Sequence, residues 1–266
     1  MIIALTIAGS DSGGGAGIQA DLKTFHQFGL YGTSVITAVT AQNTLGVRAW
    51  EALPVGLVAD QIDAVADDLR PQALKSGMLG SADVVRVVAE RIEHHQLANY
   101  VLDPVMVATS GDRLLHADAE RVIAERLVPL AALVTPNLDE AAILVGASVE
   151  HPDAMERAGR SLLERGAQAA LIKGGHLAGE HIVDVLVTRA GTRRFEHAKL
   201  DTRSTHGTGC TLSSAVTAGL ALGRPLEVAV EDALDYVRRA IAAAPGLGSG
   251  HGPLNHFVDA RGSATR

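Results

Sequence analysis

Residues 2–17 read IIALTIAGSDSGGGAG, and this stretch decides the fold of the 266-residue chain. The apolar run at 2–8 predicts a short strand buried in a parallel sheet. A glycine-rich loop follows at 9–17, and a helix is predicted from Ile18 to about Phe28, before Gly29. A strand, a glycine loop and a helix start in this order are typical of α/β proteins, in which ligands bind at the carboxyl ends of the strands.

The same alternation of strand and helix continues along the chain. Short apolar runs predict strands at 73–76, 100–102, 133–135 and 169–172, with helical spacing of apolar residues between several of them. A last long helix is predicted from Pro225 to about residue 244. The pattern indicates βαβ units and a mainly parallel sheet within a single domain spanning 1–266.

Two segments are predicted to be β-hairpins. Residues 31–40 and 44–49 are rich in β-forming types, and the polar pair Gln42 and Asn43 lies near their turn, so a lid hairpin is expected over about 31–50. Residues 182–188 and 193–197 predict the second hairpin. The Gly-, His- and Pro-containing segment 251–266 predicts a flexible tail.

Composition excludes several classes of protein. The net charge of −7 and the pI near 5.9 argue against a surface that coats nucleic acid. The single cysteine rules out an internal disulfide framework and fits a reducing compartment. No apolar run reaches the roughly 18 residues expected of a membrane span, and the apolar start lacks a basic region like that of a signal peptide. We therefore expect a cytoplasmic protein.

A second glycine-containing stretch, STHGTGCTLSSA at 204–215, predicts an anion site. It is interpreted as a hinged turn leading into a helix of small residues at 215–222. A helix start has N–H groups without internal partners and carries the positive end of the helix dipole. Glycines allow a phosphate to approach the backbone closely. The expected anion hole consists of Gly207, Thr208, Gly209 and Cys210.

Cys210 is the only cysteine and lies in this turn. A helix start is expected to lower the pKa of its thiol, which would let a thiolate accept a proton from a substrate hydroxyl. The alternative is a tight turn in which the cysteine is a small buried filler. The motif alone does not choose between them.

Polar residues follow the ends of the other predicted strands. Asp103, Asn137, Glu140 and Lys173 all occupy such positions, where open parallel sheets bind ligands. Together with the anion turn they predict phosphoryl transfer, in which Lys173 lies along the phosphates while Asp103 and Glu140 hold Mg²⁺ through water. Each has a structural alternative: a turn for Asp103, a helix cap for Glu140 and an exposed loop charge for Lys173.

Other motif classes fit less well. The segment GAGIQA at 15–20 satisfies the loose dinucleotide pattern G-x-G-x-x-A. The acidic residue expected about 20 positions later is missing, because Gln42 and Asn43 lie there. P-loop and serine-hydrolase signatures are absent from the sequence.

At this level of detail the sequence resembles a known family. The matching stretches are TIAGSDSGGGAGIQAD at 6–21, YG at 31–32, TAQNT at 40–44, KSGML at 75–79, LDPVM at 102–106, TPN at 135–137, KGGH at 173–176 and HGTGC at 206–210. The set is similar to that of the hydroxymethylpyrimidine/phosphomethylpyrimidine kinases of thiamine biosynthesis, in the ribokinase-like superfamily. The resemblance implies a three-layer α/β/α sandwich with a small hairpin lid. It also implies transfer of the ATP γ-phosphate to 4-amino-5-hydroxymethyl-2-methylpyrimidine, and then to its monophosphate.

The resemblance also implies roles for individual residues. Gln42 is expected to hydrogen-bond the pyrimidine edge, Met78 and Val105 to line its faces, and Gly9, Ala16 and Asp21 to complete the substrate pocket. The expected ATP contacts are Asp103, Asn137, Lys173, Thr208 and Gly209, with Lys173 and Cys210 as catalytic residues. Many relatives in the superfamily carry an aspartate base at the Cys210 position, so the thiol is either a base or an aligning group.

The implied assembly is a homodimer with pockets partly closed by the lid, and Mg²⁺ is the implied companion of ATP. Two rival functions remain. A pyridoxal kinase would share the fold, the ATP site and the GTGC turn, and Gln42 with Met78 favours the pyrimidine. A ligand sensor on this fold would have no need to keep the phosphoryl-transfer set of Lys173, Asp103, Glu140 and Cys210 together.

Overall fold

Strand β1 (Ile3–Ser10) lies inside a sheet and is buried on both faces, as its nearly continuous apolar sequence predicts. The computed structural model describes residues 1–106, 117–175 and 180–260. Within these ranges one sheet of nine strands runs in the order β3-β2-β1-β4-β5-β6-β7-β8-β9. The other strands are β2 (Tyr31–Asn43), β3 (Gly46–Ala52), β4 (Ala73–Ser76), β5 (Tyr100–Leu102), β6 (Leu133–Val134), β7 (Ala169–Ile172), β8 (His181–Thr188) and β9 (Gly191–Ala198).

The pairing is parallel from β2 through β7, and the antiparallel strands lie at the two edges of the sheet. In the register, Ile3 of β1 pairs with Tyr31 of β2, and Ala4 pairs with Ala73 of β4. A parallel centre with antiparallel edges confirms the predicted mixed α/β architecture. The carboxyl ends of the central strands therefore converge at one edge of the sheet, where ligands bind in such folds.

Helices cover both faces of the sheet. They are α1 (Gly17–Gln27), α2 (Val55–Asp68), α3 (Ala82–His94), α4 (Ala117–Val122), α5 (Leu138–Val145), α6 (Pro152–Glu164), α7 (Thr208–Ala221) and α8 (Leu226–Ala242). A π-helical turn at Ile123–Leu127 and a 3₁₀ turn at Val128–Leu130 extend α4. None of the helices in the described ranges is long and apolar enough to cross a membrane.

Two apolar cores separate the three layers. Leu5 and Ile7 of β1 pack with α2 to α6 on one face, whereas Ala4 packs with α1, α7 and α8 on the other. Successive side chains of a strand point to opposite faces, so this division follows directly from the sequence of β1. The two cores confirm the three-layer sandwich.

The lid region differs from the predicted hairpin at 31–50. Strand β2 is a single 13-residue strand: its first part pairs in parallel with β1, and its second part, from Ala38 to Asn43, pairs antiparallel with β3. Its alternating burial, with Val35 and Thr37 inaccessible to solvent, shows that the first half belongs to the central sheet. Only the arm over 38–52 projects as a hairpin.

The prediction of a flexible tail from residue 251 is wrong for 251–260. Leu254 and His256 are buried, and the amide of Asn255 donates to the carbonyl of Ala240 at 3.0 Å. The segment packs because Leu254 joins the core beneath α7 and α8, which outweighs its Gly- and Pro-rich composition. Residues 261–266 lie outside the described part of the chain.

Helix α7 begins earlier than the predicted residue 215. Its first residue is Thr208, and Gly207 caps it with a φ of 83°, in the left-handed region that favours glycine. The helix is therefore continuous with the GTGC turn rather than separated from it. This places Gly209 and Cys210 within its first turn.

Candidate active site

Lys173 is the cationic centre of the site. It follows β7, and its Nζ lies 3.0 Å from Asp103 Oδ1 and 4.0 Å from Glu140 Oε2. Burial alone would lower the pKa of Lys173, but the carboxylates of Asp103 and Glu140 outweigh it and hold the pKa above its ordinary value. The ammonium therefore stays charged in a largely enclosed position, with only 16% of the side chain exposed.

Asp103 accepts contacts from three protein groups. Besides Lys173, it accepts hydrogen bonds from Thr135 Oγ1 at 3.2 Å and from Ser213 Oγ at 3.3 Å. Burial raises the pKa of Asp103, but Lys173 and then Lys75 lower it more, so the net pKa lies below the usual value. The structure places Asp103 directly after β5, at a strand end as predicted. There its carboxylate holds the Lys173 ammonium.

Glu140 and Asn137 form the start of α5. The Asn137 side chain accepts from the Glu140 amide at 2.9 Å, and Glu140 Oε2 accepts from the Asn137 amide at 2.9 Å, which is a capping box. The alternative of a helix cap is thus realised for Glu140, and the Asn137 side-chain oxygen is used in the same cap. Burial, opposed by Lys173 and reinforced by Asp103, raises the pKa of Glu140 to about 7.

The start of α7 faces Lys173 and Asp103. A methyl group on Gly209 would lie 3.3 Å from Lys173 Nζ and 3.6 Å from Asp103 Oδ2, so the backbone approaches both groups closely. A methyl group on Gly207 would collide with the carbonyl oxygen of Gly15, so the two glycine loops are in direct contact. The anion turn and the first glycine loop thus form one continuous surface.

The donors of the predicted anion hole are fewer than expected. Both the hydroxyl and the amide of Thr208 donate to the carbonyl of Thr205, at 2.7 and 3.2 Å. The amides of Gly209 and Cys210, at the second and third positions of α7, have no partner within the helix. These two amides, with the positive end of α7, are the groups that remain for an anion.

The pKa predicted for Cys210 is wrong in direction. Burial raises the pKa of the thiol to about 11; the Lys75 ammonium lowers it, and the carboxylates of Asp21 and Asp103 raise it. The amide of Gly17, which donates to the sulfur, adds a smaller lowering effect. A helix start therefore does not produce a thiolate here, because desolvation disfavours the charged form. At neutral pH Cys210 is a thiol.

Alkylation measures this pKa directly. We expect the rate of iodoacetamide addition to rise about tenfold per pH unit from pH 7 to pH 10 without a plateau, because only the thiolate reacts. Mass spectrometry assigns the adduct without ambiguity, since Cys210 is the sole cysteine. A plateau near pH 8 would contradict the raised pKa and restore the thiolate hypothesis.

Asp21 lies beneath the site rather than on its surface. The carboxylate is completely buried, with both oxygens 3.2 Å from Lys75 Nζ. It also accepts hydrogen bonds from Thr6 and Ser214, each at 2.6 Å. All its hydrogen-bonding capacity is directed into the protein, so the structure does not place Asp21 among the pocket-lining groups implied by the resemblance.

Lys75 was not singled out from the sequence. Burial would lower the pKa of Lys75, but Asp21 outweighs it, with smaller contributions from Cys210 and Asp103, and the pKa lies above the ordinary value. A methyl group on Gly77 would lie 3.2 Å from Nζ. The sequence signal that could have identified Lys75 was a lysine inside a short strand predicted to be buried, because buried strand positions are usually apolar.

An apolar wall lies beside the glycine loop. Met78 packs with Ala38, and Val47, Trp50 and Val105 pack against that pair. A methyl group on Gly9 would lie 3.1 Å from Met78 Sδ. The structure therefore brings together the predicted residues Gly9, Met78 and Val105. It adds Trp50, which was not predicted from the sequence. Trp50 is the only tryptophan of the chain and lies on the hairpin arm, and this was the signal that could have indicated it.

The glycine loop is organised by Asp11. Its carboxylate accepts hydrogen bonds from the amides of Gly13, Gly15 and Ala16 at 2.8 to 3.0 Å. Gln42, half-buried on β2, lies beside this loop, and its backbone exchanges hydrogen bonds with the Ser12 hydroxyl. Gln42 therefore borders the loop that contains Ala16.

The described residues contain no cluster of three or more His, Cys, Asp or Glu side chains that could hold a metal ion. Asp103 and Glu140 are the carboxylates nearest to Lys173 in this site. His176, which belongs to the KGGH stretch, lies outside the described residues.

Comparison with known sequences gives consistent matches. A family model described as "Phosphomethylpyrimidine kinase" matches residues 11–255. The Hydroxymethylpyrimidine/phosphomethylpyrimidine kinase of Bacillus subtilis is 47% identical over 261 residues, which cover 98% of this chain and 96% of that protein. The Thiamine biosynthesis bifunctional protein ThiED of Geobacter sulfurreducens is 48% identical over 96% of this chain, which spans 52% of that longer protein.

Solved structures agree with these matches. The phosphomethylpyrimidine kinase of Clostridium difficile superposes with a TM-score of 0.82 at 44% sequence identity, covering 91% of this chain and 100% of the other. An ADP complex of Bacillus subtilis pyridoxal kinase superposes with a TM-score of 0.90 at 38% identity, covering 96% and 97%.

Proposed function

The chain belongs to the phosphomethylpyrimidine kinase family, and from this premise we propose how its residues carry out the reaction. It phosphorylates hydroxymethylpyrimidine and phosphomethylpyrimidine, as its relatives of nearly equal length are named for doing. The longer ThiED relative is named for thiamine biosynthesis, which places the reaction in that pathway. The observation that carries the mechanism is the position of Lys173 beside the open start of α7.

ATP is the phosphoryl donor, and its γ-phosphate is placed against α7. The amides of Gly209 and Cys210 donate to the phosphate oxygens, and the Lys173 ammonium neutralises the charge that spreads over them during transfer. Asp103 holds Lys173 in place through the 3.0 Å contact. Preorganised donors of this kind need little rearrangement when the charge develops, which is why they stabilise the transition state.

The pyrimidine ring is placed against the apolar wall. Met78 and Val105 contact its faces, Trp50 closes the side formed by the hairpin arm, and Gln42 hydrogen-bonds its edge. Gly9 and Ala16 border the ring from the glycine loop. The hydroxymethyl group then points toward the start of α7, in line with the γ-phosphate.

Cys210 acts as a protonated aligning group. With a pKa of about 11 the thiol does not remove the substrate proton before attack. In the loose transition state of phosphoryl transfer, the attacking hydroxyl becomes strongly acidic only late. The proton therefore leaves after the new P–O bond has begun to form, and it passes to an oxygen of the transferred phosphoryl group.

We propose Mg²⁺ as the companion of ATP. Its donor set consists of Asp103 and Glu140, and Mg²⁺ is commonly held by one or two carboxylates together with substrate phosphates and waters. Since the Asp103 oxygens are already engaged, this set fits contact through water. When bound, the ion neutralises charge on the ATP phosphates.

The same proposal includes a homodimer and a cytoplasmic location. The hairpin arm at 38–52 carries exposed Val39 and Leu45, which a second subunit would cover. The sole cysteine is a free thiol, which suits a reducing compartment in which ATP is abundant.

A second candidate is pyridoxal phosphorylation. The observation favouring it is the TM-score of 0.90 against a pyridoxal kinase at 38% identity. Both kinases would use the same ATP site, so the difference lies in the ring-binding pocket.

An ATP-consumption assay decides between these candidates. The purified protein is offered hydroxymethylpyrimidine, its monophosphate and pyridoxal separately, with Mg²⁺ present. We expect turnover of both pyrimidines with a kcat/KM well above that for pyridoxal. Pyridoxal as the clearly better substrate would keep the mechanism and reassign the acceptor.

A further inference from the structure

Three side chains from distant parts of the chain meet at one ring nitrogen. Nε2 of His206 lies 2.9 Å from Oδ2 of Asp11 and 3.3 Å from Nε2 of Gln42. The His206 side chain is only 11% exposed, so water competes little for these contacts. None of the roles described above uses His206.

The Asp11 carboxylate is the acceptor in this cluster. Burial raises the pKa of Asp11, but the hydrogen bonds from His206 and from the amides of Ala16 and Gly13 together outweigh burial. The pKa therefore lies below its usual value, and Asp11 is ionised at neutral pH. An ionised carboxylate can only accept hydrogen bonds. His206 must therefore carry a hydrogen on Nε2 and donate it to Asp11.

This assignment restricts the Gln42 amide. A ring nitrogen that carries a hydrogen has no lone pair with which to accept one from the amide NH₂. Two donors would then face each other at 3.3 Å. Turning the amide by 180° leaves its shape unchanged and places the carbonyl oxygen toward His206, where it shares the Nε2 hydrogen with Asp11.

The His206 ring has little freedom to adapt instead. Its backbone amide donates to the carbonyl of Gly252 at 3.1 Å, and it pairs with Pro253. On the other side, a methyl group on Gly15 would lie 2.6 Å from Cδ2 of the ring. The ring is therefore held between the glycine loop and the C-terminal segment.

We propose that His206, anchored by Asp11, is a positioning residue that fixes the Gln42 amide with its NH₂ group toward the substrate. The NH₂ then donates to an unprotonated ring nitrogen of the pyrimidine, which is an acceptor. The inference rests on the proposed function, since it assigns the direction of a hydrogen bond in the same pocket. A ring that presents an N–H at this point meets a fixed donor and binds less well.

A double-mutant cycle of His206→Ala and Gln42→Ala tests the coupling. Binding of hydroxymethylpyrimidine without nucleotide is measured by calorimetry, alongside the KM for both substrates. We expect each single change to weaken pyrimidine binding by about tenfold, as for loss of one hydrogen bond. The double variant should bind about as weakly as Gln42→Ala alone, with the KM for ATP and the kcat changed less than about threefold.

Two further variants separate positioning from folding. Gln at position 206 places an NH₂ near the site of Nε2, so His206→Gln is expected to recover most of the affinity that His206→Ala loses. Asp11→Asn supplies a second route to the same cluster if His206→Ala does not fold. The control is His26→Ala, at an exposed position in the last turn of α1, which should leave binding and turnover unchanged.

The outcomes are distinguishable. Fully multiplicative effects in the cycle, or a His206→Ala variant that binds pyrimidine normally, would overturn the inference. Equal losses for ATP and pyrimidine would also overturn it, because they indicate a general structural role. Failure of the unmodified protein to bind or phosphorylate the pyrimidine would instead defeat the proposed function.

Discussion

Replacement of Lys173 by methionine is expected to lower the kcat of phosphoryl transfer by about 10²- to 10³-fold, the range for removal of one preorganised donor to a developing charge. The change removes the only ammonium within 4.0 Å of both Asp103 and Glu140 among the described contacts. Those two carboxylates would then repel the ATP phosphates instead of positioning a cation. We therefore expect the KM for ATP to rise as well, while binding of the pyrimidine alone is little affected.

The measurement is steady-state kinetics with both substrates varied, on protein whose thermal transition has been recorded. Lys199→Met is the matched control, because Lys199 is an exposed lysine just beyond β9. It should show wild-type kinetics. A kcat within tenfold of wild type for Lys173→Met would remove Lys173 from the transition-state contacts and leave the amides of α7 as the main stabilising groups.

Replacement of Lys75 by methionine is expected to destabilise the fold by about 3–5 kcal/mol, as for breaking a buried ion pair from one side. Asp21 would remain completely buried next to Lys75's former position, without its cation. Because Asp21 also accepts from Ser214 of α7 and Thr6 of β1, its protonation or displacement would loosen the contact between α7 and β1. The loss is a large fraction of the roughly 5–15 kcal/mol that is typical of a domain's net stability.

Urea denaturation of three variants tests this expectation. Lys75→Met should be the least stable, whereas Lys75→Met combined with Asp21→Asn should recover a large part of the loss, because no charge is left buried. Lys199→Met again serves as the exposed control. If the single and double variants unfold at the same urea concentration, the ion pair is not what sets their stability.

The sequence predicted the central sheet well because its strands are buried on both faces. The strands at 73–76, 100–102 and 169–172 have the predicted bounds. The last two are continuous apolar runs, whereas the first also contains Lys75 and Ser76. Strand β2 was misread because one strand enters the sheet and then leaves it as a hairpin arm. The local pattern of apolar and polar residues does not determine which neighbouring strand each half pairs with, because that depends on tertiary contacts.

The site divides in the same way. Lys173 and Asp103 could be predicted because they follow strand ends, and strand ends converge in this type of sheet. The partners of Cys210 could not be predicted, since Asp21, Lys75 and Asp103 approach it from other elements, and their combined effect with burial raised a pKa that the helix start alone would lower. The desolvation that raises the pKa of Cys210 depends on how the surrounding elements pack, and a single sequence motif does not determine that packing.

The contacts of the C-terminal segment mean that the pocket can be completed only late in the synthesis of the chain. The amide of His251 donates to the carbonyl of Thr44 at the tip of the hairpin arm, and Gly252 holds the backbone of His206. The pocket therefore joins residues near 11, 42, 206 and 252, which leave the ribosome at widely separated times. The N-terminal strands can pair early, but the hairpin arm and the anion turn become fixed only after nearly the whole chain has emerged. Until then the nascent chain has the glycine loop and the hairpin arm, but not the contacts from His206 and His251 that join them to the rest of the pocket.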